Sequence, residues 1–351
     1  MIDFTSGGIF AAILGQNPLA IREHISKITD ISSYFPHYPH PVALRYIDML
    51  KEFTGFESVA LFSTGSEAVE AFMRCMRFHS GKGAVWGGLV DPDDVGKDDA
   101  KPDAMHGMTL GSLIAAGKIS DTQSLRFGVV PDATSSMIME PYHAPSAQFH
   151  RDEPTIARIK MLQKEFKSIP LCVDEVQGGF GRAGRLFAHQ WYDDLKPDFV
   201  TIGKACGGGL PLSALLGPKD IMESEVVREH AHLHSTHSGN PWMCAAGIAV
   251  IEEIQKHDLI DRSQRLGIML KNLLADCGVR HHAGRGLLAG LEFENQLDAG
   301  RVVQLCLKNG LKVVNTGRKW IKLGPAFTIQ ESVLEQGCII LKNAIKETLS
   351  E

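Results

Sequence analysis

The sequence predicts an α/β fold: a large domain with a mostly parallel sheet flanked by helices, plus a small α+β domain. Three observations carry that expectation. Short apolar runs alternate with helix-period segments from about residue 56 to 220, polar groups follow several of those runs directly, and 351 residues suffice for about two domains without disulfide or metal staples. The composition, 44% hydrophobic and 22% charged, is that of a globular chain rather than a disordered one.

Taken in order, Val59-Ala60-Leu61-Phe62 reads as a strand, and Ala68, Val69, Phe72 and Met76 then recur at helical spacing. Ile156, Ile159, Leu162 and Phe166 mark another amphipathic helix, followed by the short buried strand Leu171-Cys172-Val173. Phe199-Val200-Thr201-Ile202 repeats the strand pattern before a glycine-rich turn. Residues 242–256 read as a long connecting helix. Helices are expected beyond it at 262–275, 298–308 and 331–348, with strand-like 287–293 and 311–315 between them. The large domain is therefore expected at 35–256, and a small domain from both chain ends, 1–34 and 257–351.

Several function classes are excluded at this stage. A net charge of −5 with no basic block does not fit a nucleic-acid binder. No run of 18 predominantly apolar residues offers a membrane span, and Gly7 to Gly15 lacks the positive flank of a signal peptide. Seven cysteines, odd in number and never spaced as C-x-x-C, fit reduced thiols of a cytoplasmic protein. The six aspartates between 91 and 103 read as a solvated surface loop.

Ligands of open α/β sheets bind outside the carboxyl ends of the strands. Four polar sites stand there: Ser63-Thr64-Gly65-Ser66, Glu140, Asp174 and Lys204. The first, STGSEAVE, is either a helix start that holds a phosphate on free N–H groups or a simple cap by Thr64 or Ser66 supported by Glu67. In DEVQGGFGRAG a carboxylate could bind a metal, act as a base, pair with a cationic ring nitrogen, or only shape the turn. Lys204 in TIGKACGGGLP is no phosphate-loop lysine, because its glycines lie downstream. Taken singly, it reads as a solvated loop residue. Together, a phosphate-binding helix start, an acid, and a lysine 30 residues after that acid meet the needs of pyridoxal 5'-phosphate: an anchor, a counter-charge for the ring nitrogen, and an amine for the aldehyde.

With these motifs the sequence resembles the class III (ornithine and GABA type) aminotransferases, fold-type I pyridoxal phosphate enzymes. The resemblance is specific over 174–190, 197–217 and 234–246, good over 62–71 and 106–113, and thinner over 284–293. It implies that Lys204 carries the cofactor through its aldehyde and later shuttles a proton. Asp174 should pair with the ring nitrogen, Val176 should pack on the ring, and Gln177 should bond the phenolic oxygen. Gly65 and Ser66 should hold the phosphate. Thr236 should reach it from a neighbouring subunit, making a homodimer the minimal active unit. Met105, with His106 beside it, takes the place of the family's usual aromatic stacking residue.

Further departures concern the substrate. Met108 stands where many 2-oxoglutarate users have Arg. Lys322 stands where an Arg commonly clamps a carboxylate, losing the two-pronged fork. Pro145 occupies the place of a Glu that masks that Arg, after Glu140-Pro141. Glu140 and Lys322 are therefore the candidate substrate contacts, and weak use of 2-oxoglutarate is expected. Ile2-Asp3-Phe4 lies near the family's usual Tyr-Leu-Asp-Phe segment, which suggests either a more open entrance or one covered by the partner subunit. The resemblance places His230, His232, His234 and His237 in a loop leading to Thr236, so no metal is expected. The reaction implied is ping-pong transfer of an amino group from an amine or amino acid to a carbonyl acceptor. The alternatives are an aminomutase, racemase or decarboxylase on the same scaffold, or a silent binding protein. Retention of Lys204, Asp174 and Gln177 together argues against the silent protein.

Overall fold

Residues 1–30, 38–81, 84–86, 134–144, 148–149, 161, 164, 169–193, 195–282, 284–315 and 319–350 are described by a computed structural model. Apart from positions 161 and 164, the helix expected around Ile156–Phe166 lies outside those residues, as does the aspartate-rich stretch 91–103.

The chain opens with a two-residue strand, β1 (Ile2–Asp3), and two helices, α1 (Leu19–Ser26) and α2 (Pro41–Thr54), lead to the central sheet. Pro41 suits the first helical position of α2, where its missing N–H costs nothing, and Gly55 ends the helix at φ 80°. Strand β2 (Ser58–Phe62) feeds α3 (Gly65–Ser80), which is followed by β3 (Ala84–Trp86) and β4 (Thr134–Met139). A small hairpin, β5 (Tyr142–His143) and β6 (Gln148–Phe149), pairs Tyr142 with Phe149. Then come β7 (Leu171–Asp174), β8 (Phe199–Ile202) and β9 (Ser213–Gly217).

The six-stranded sheet has the order β2-β9-β8-β7-β4-β3. The pairs β3–β4, β4–β7 and β7–β8 are parallel, while β9 runs antiparallel to both its neighbours, so the expected mostly parallel sheet is present with one reversed strand. Strands β7, β8 and β9 are buried along their whole length. Burial on both faces makes such strands continuous apolar runs rather than alternating ones. The carboxyl ends of β2, β4, β7 and β8 share one edge of the sheet, where Ser63, Glu140, Asp174 and Lys204 emerge.

Helix α4 (Pro241–Lys256) covers the long helix expected at 242–256. Ten of its residues are buried, because α1 and α2 pack along it on one side and the turn that begins at Lys204 packs on another. Gly247 makes this possible: a Cβ there would fall 2.5 Å from the Tyr46 ring. Beyond it lie α5 (Leu259–Leu273), β10 (Arg280–His282), β11 (Ala289–Glu292), α6 (Gln296–Lys308), β12 (Leu311–Lys312), β13 (Val314–Asn315), β14 (Trp320–Leu323) and α7 (Glu331–Leu349), close to the expected spans. A second sheet, antiparallel throughout, has the order β10-β11-β14-β13 and sets Lys322 opposite Gly290 and Val314. Strand β1 pairs with β12 in parallel, Ile2 facing Leu311, which ties the first residues to the last third of the chain.

One fully buried side chain joins these parts. Arg182, in the loop after β7, donates to the carbonyls of Pro325 (2.5 Å), Leu287 (3.4 Å) and Phe10 (3.4 Å) and to the Ser6 hydroxyl (3.1 Å). Its guanidinium also lies 4.9 Å from the Phe327 ring centroid. Burial pulls its pKa down to about 9, which leaves it charged at neutral pH. Replacing it by Met would strand those acceptors in a dry interior. Arg182→Met is therefore expected to lower unfolding free energy by about 3 kcal/mol in urea titrations, and a loss below about 1 kcal/mol would show that water satisfies the acceptors instead.

Candidate active site

A cavity of about 810 Å3 opens at the carboxyl edge of the central sheet. Ser63 to Ser66, Glu140, Asp174, Val176, Gln177 and Lys204 line it from that sheet, and Val314, Asn315 and Lys322 close it from the second. Residues far apart in sequence, named singly as candidates, thus share one space.

Lys204 begins a 3₁₀ turn, Lys204–Gly207, with φ 43°. A side chain held at positive φ outside glycine is strained, and such strain collects at functional sites. Burial lowers the pKa of its amine, while the negative charges of Asp174 and Glu140 act in the opposite sense. The result is an amine with more neutral, nucleophilic form than an exposed lysine would have.

Asp174 ends β7, is buried, and accepts from the Val176 N–H at 2.8 Å. Glu175, one residue on, faces the other way. It accepts from the N–H groups of Ala188 (2.9 Å) and His189 (2.8 Å), and its Oε1 lies 2.9 Å from His189 Nδ1. Successive strand residues point to opposite faces, so of the two acids only Asp174 reaches the cavity. Val176 lies against the backbone of Gly65 and Gly203: a Cβ on Gly65 would sit 2.8 Å from its Cγ1, and one on Gly203 would sit 3.2 Å away. Gln177 is buried, and among the described residues its Nε2 has no hydrogen-bond partner.

At the start of α3 the cap reading holds, and the same helix start lines the cavity. The Thr64 hydroxyl accepts from the Glu67 N–H at 3.2 Å, and the Glu67 carboxylate accepts from Thr64 N–H at 2.9 Å and Ser63 N–H at 3.0 Å. This capping box occupies Thr64 and Glu67, and it leaves Gly65 and Ser66, the first two helical residues, on the cavity wall. Their N–H groups and the helix dipole make that wall favourable to an anion.

Glu140 and Lys322, both buried, grip the same residue. Glu140 Oε2 accepts from the Ala144 N–H at 3.3 Å, and Lys322 Nζ donates to the Ala144 carbonyl at 3.2 Å. Burial and repulsion by Lys204 bring the Lys322 pKa down to about 8, with Glu140 opposing the shift.

Not every expected residue joins this group. Thr236 is exposed and does not line the cavity of its own chain. The nearby His232 and His234 rings meet edge to face at 6.0 Å. Met105, His106, Met108 and Pro145 lie outside the described residues. Ile9, Tyr142 and Asn315 line the cavity without having been singled out in the sequence. Only Tyr142, two residues past Glu140, carried a local hint.

The residues present suit the cofactor that the motifs imply. A helix start offers N–H donors for a phosphate, glycine backbone lies flush against Val176 where a flat ring could rest, a buried carboxylate stands at a strand end, and the Gln177 amide awaits an acceptor.

Comparison with known proteins agrees. The family model for class-III aminotransferases matches residues 99–345. An acetylornithine aminotransferase of Archaeoglobus fulgidus is 28% identical over 340 residues, covering 92% of this chain and 84% of that protein. One from Aquifex aeolicus is 28% identical over 375 residues, covering 98% and 92%. A solved structure of ornithine aminotransferase from Toxoplasma gondii, with partial occupancy of pyridoxal phosphate at its active site, shares the fold at a TM-score of 0.78, with 21% identity and coverage of 99% and 86%.

Gly65→Ala would press a methyl onto Val176. It is expected to weaken pyridoxal phosphate retention roughly tenfold in an absorbance titration, and adding Val176→Ala should recover part of the loss. A double variant no tighter than Gly65→Ala would show that this contact does not shape the cradle.

Proposed function

The chain belongs to the class-III aminotransferases, and from that membership we propose how its own residues divide the work. It is a pyridoxal-phosphate-dependent enzyme that moves an amino group between an amine and a carbonyl compound. When bound, the cofactor supplies an aldehyde that condenses with primary amines and a cationic ring that takes up the electron pair released at the substrate carbon.

Lys204 Nζ holds the cofactor and, as the free amine, moves a proton at the amine-bearing carbon of the substrate. The Asp174 carboxylate keeps the proton on the ring nitrogen, Gln177 Nε2 donates to the phenolic oxygen, and Val176 packs on the ring. The N–H groups of Gly65 and Ser66 hold the phosphate. Met105 and His106 are assigned ring contacts by sequence resemblance alone. Ping-pong transfer then requires the donor to leave as a carbonyl product before the acceptor enters. The observation that carries this reading is the convergence of a half-buried amine, a buried carboxylate and the orphan Gln177 amide on one cavity beside a helix start.

The exposed position of Thr236, away from its own cavity, favours a homodimer in which the partner's Thr236 completes the phosphate site. The β1–β12 pairing favours grouping the chain's first residues with 257–351 in a small domain, and 35–256 in the large one. Among the described residues no helix is long and apolar enough to cross a membrane. The seven unpaired, buried cysteines favour a cytoplasmic setting.

For substrates, the relatives make acetylornithine the first donor to test. Lys322 offers a carboxylate one ammonium where a guanidinium would offer a fork, which favours weak use of 2-oxoglutarate. Efficient turnover with 2-oxoglutarate would remove that expectation.

The deciding experiment combines cofactor spectra with a screen of amine donors and carbonyl acceptors. Donor alone should leave the amine on the cofactor and release a carbonyl product. Lys204→Ala should abolish both the lysine-linked absorbance band and turnover, and an unchanged spectrum would sink the assignment. Asp174→Ala should bind cofactor but turn over at least roughly 100-fold more slowly. For pH, the Lys322 ammonium persists below about 8 and is lost above it, so the KM of a carboxylate-bearing substrate should rise above that pH. Lys322→Arg should remove that rise, because a guanidinium stays charged.

A further inference from the structure

Among the described residues Lys322 has few partners for its charge. Glu140, after β4, and Tyr142, in β5, line the same cavity, Lys204 faces it there, and its Nζ donates to the Ala144 carbonyl. A further contact is aromatic: its Nζ lies 5.6 Å from the centroid of Phe10. That ring is almost fully buried and packs with Tyr142, Leu288 and Trp320. It is also 5.9 Å from the guanidinium carbon of Arg182, so two cations share one ring.

The chain holds Phe10 in place at some cost. Its φ is 62°, in the left-handed region that an aromatic residue rarely enters. Its N–H donates to the Thr5 carbonyl at 2.8 Å, and its own carbonyl accepts from Arg182. Gly324, two residues after Lys322, leaves the space that the ring fills, since a Cβ there would overlap it. Strained backbone, buried Arg182 and a vacant glycine side thus converge on one ring beside one ammonium.

We propose that Phe10 is a positioning residue for Lys322: its π face holds the ammonium at the cavity wall, in charged form, where it takes the carboxylate of an amino-acid substrate at a single point. The proposal rests on the reading of Lys322 as the substrate's carboxylate contact. A π face attracts an ammonium and not a neutral amine, and the attraction is larger where water is excluded. The ring therefore opposes the desolvation that pushes Lys322 toward neutrality, as the Ala144 carbonyl and Glu140 do. Packing alone would make Phe10 replaceable by any side chain of the same shape.

The test uses holoenzyme and the donor half-reaction, comparing 5-aminopentanoate with pentylamine, which lacks only the carboxylate. The readout is the ratio of their kcat/KM values between pH 6 and 10. Phe10→3,4,5-trifluorophenylalanine keeps the shape and drains the π face, so it remains informative if Phe10→Leu fails to fold. It is expected to cut the preference for 5-aminopentanoate about threefold to tenfold below pH 8, through KM rather than kcat, and to move the loss of preference to lower pH. Phe10→Tyr, which keeps a π face, should restore both. A parental ratio and parental pH dependence in the trifluoro variant would overturn the proposal for Phe10. If Lys322→Met also left the ratio at its parental value, the reading of Lys322 itself would fall. A reduced ratio in Lys322→Met beside a parental trifluoro variant would leave Lys322 in its role and remove Phe10 from it.

Discussion

A single buried guanidinium fixes how the two sheets of this protein meet. Arg182 sits in the loop that leaves the sheet just past Asp174 and Gln177, and it reaches the N-terminal segment at Ser6 and Phe10 and the segment after β14 at Pro325. Each of those contacts ends on a carbonyl or hydroxyl oxygen, so the charge is solvated by the chain itself. The arrangement holds together three stretches that could otherwise slide, and all three border the cavity. Ile9 stands at its lip, Asp174 and Gln177 form its floor, and Lys322 closes its far wall. The site's geometry is therefore inherited from an interaction that lies outside it.

Within the cavity, chemistry depends on charges kept close and largely buried. Two amines, Lys204 and Lys322, face two acids, Asp174 and Glu140, and burial costs every one of them solvation. For the amines that cost favours the neutral form, which suits Lys204 as a nucleophile and proton carrier and limits Lys322 as an anion contact. The two lysines have opposite needs in one environment. The difference is made by what lies against each: a strained turn beside Asp174 for Lys204, and a carbonyl and an aromatic ring for Lys322.

Much of this was legible in the chain before folding. Val59–Phe62, Leu171–Val173 and Phe199–Ile202 read as strands because burial on both faces leaves unbroken apolar runs. The polar residue ending each run read as a site because parallel strands deliver their carboxyl ends to one edge. The capping box of α3 was legible too, since Thr64 and Glu67 lie within one turn. What needed neighbours lay beyond local pattern. Nothing within 242–256 says that α1, α2 and the Lys204 turn will cover α4. The sequence points to Asp174, but only the assembled strand end shows it on the cavity while Glu175 turns to Ala188 and His189.

The sequence by itself determined the element types, the sheet edge that carries the site, and the set of side chains able to do amine chemistry, because these follow from local periodicity and from residue identity. The tertiary structure decided which of those side chains meet, and in what state of charge. Glu140 and Lys322, far apart in sequence, come to share the Ala144 peptide and to act on each other's charge. Phe10 came to face Lys322 only because Arg182 and Gly324 place it there. The pKa of a lysine depends on the desolvation and charges around it, and those are properties of the assembled interior that no local stretch of chain contains.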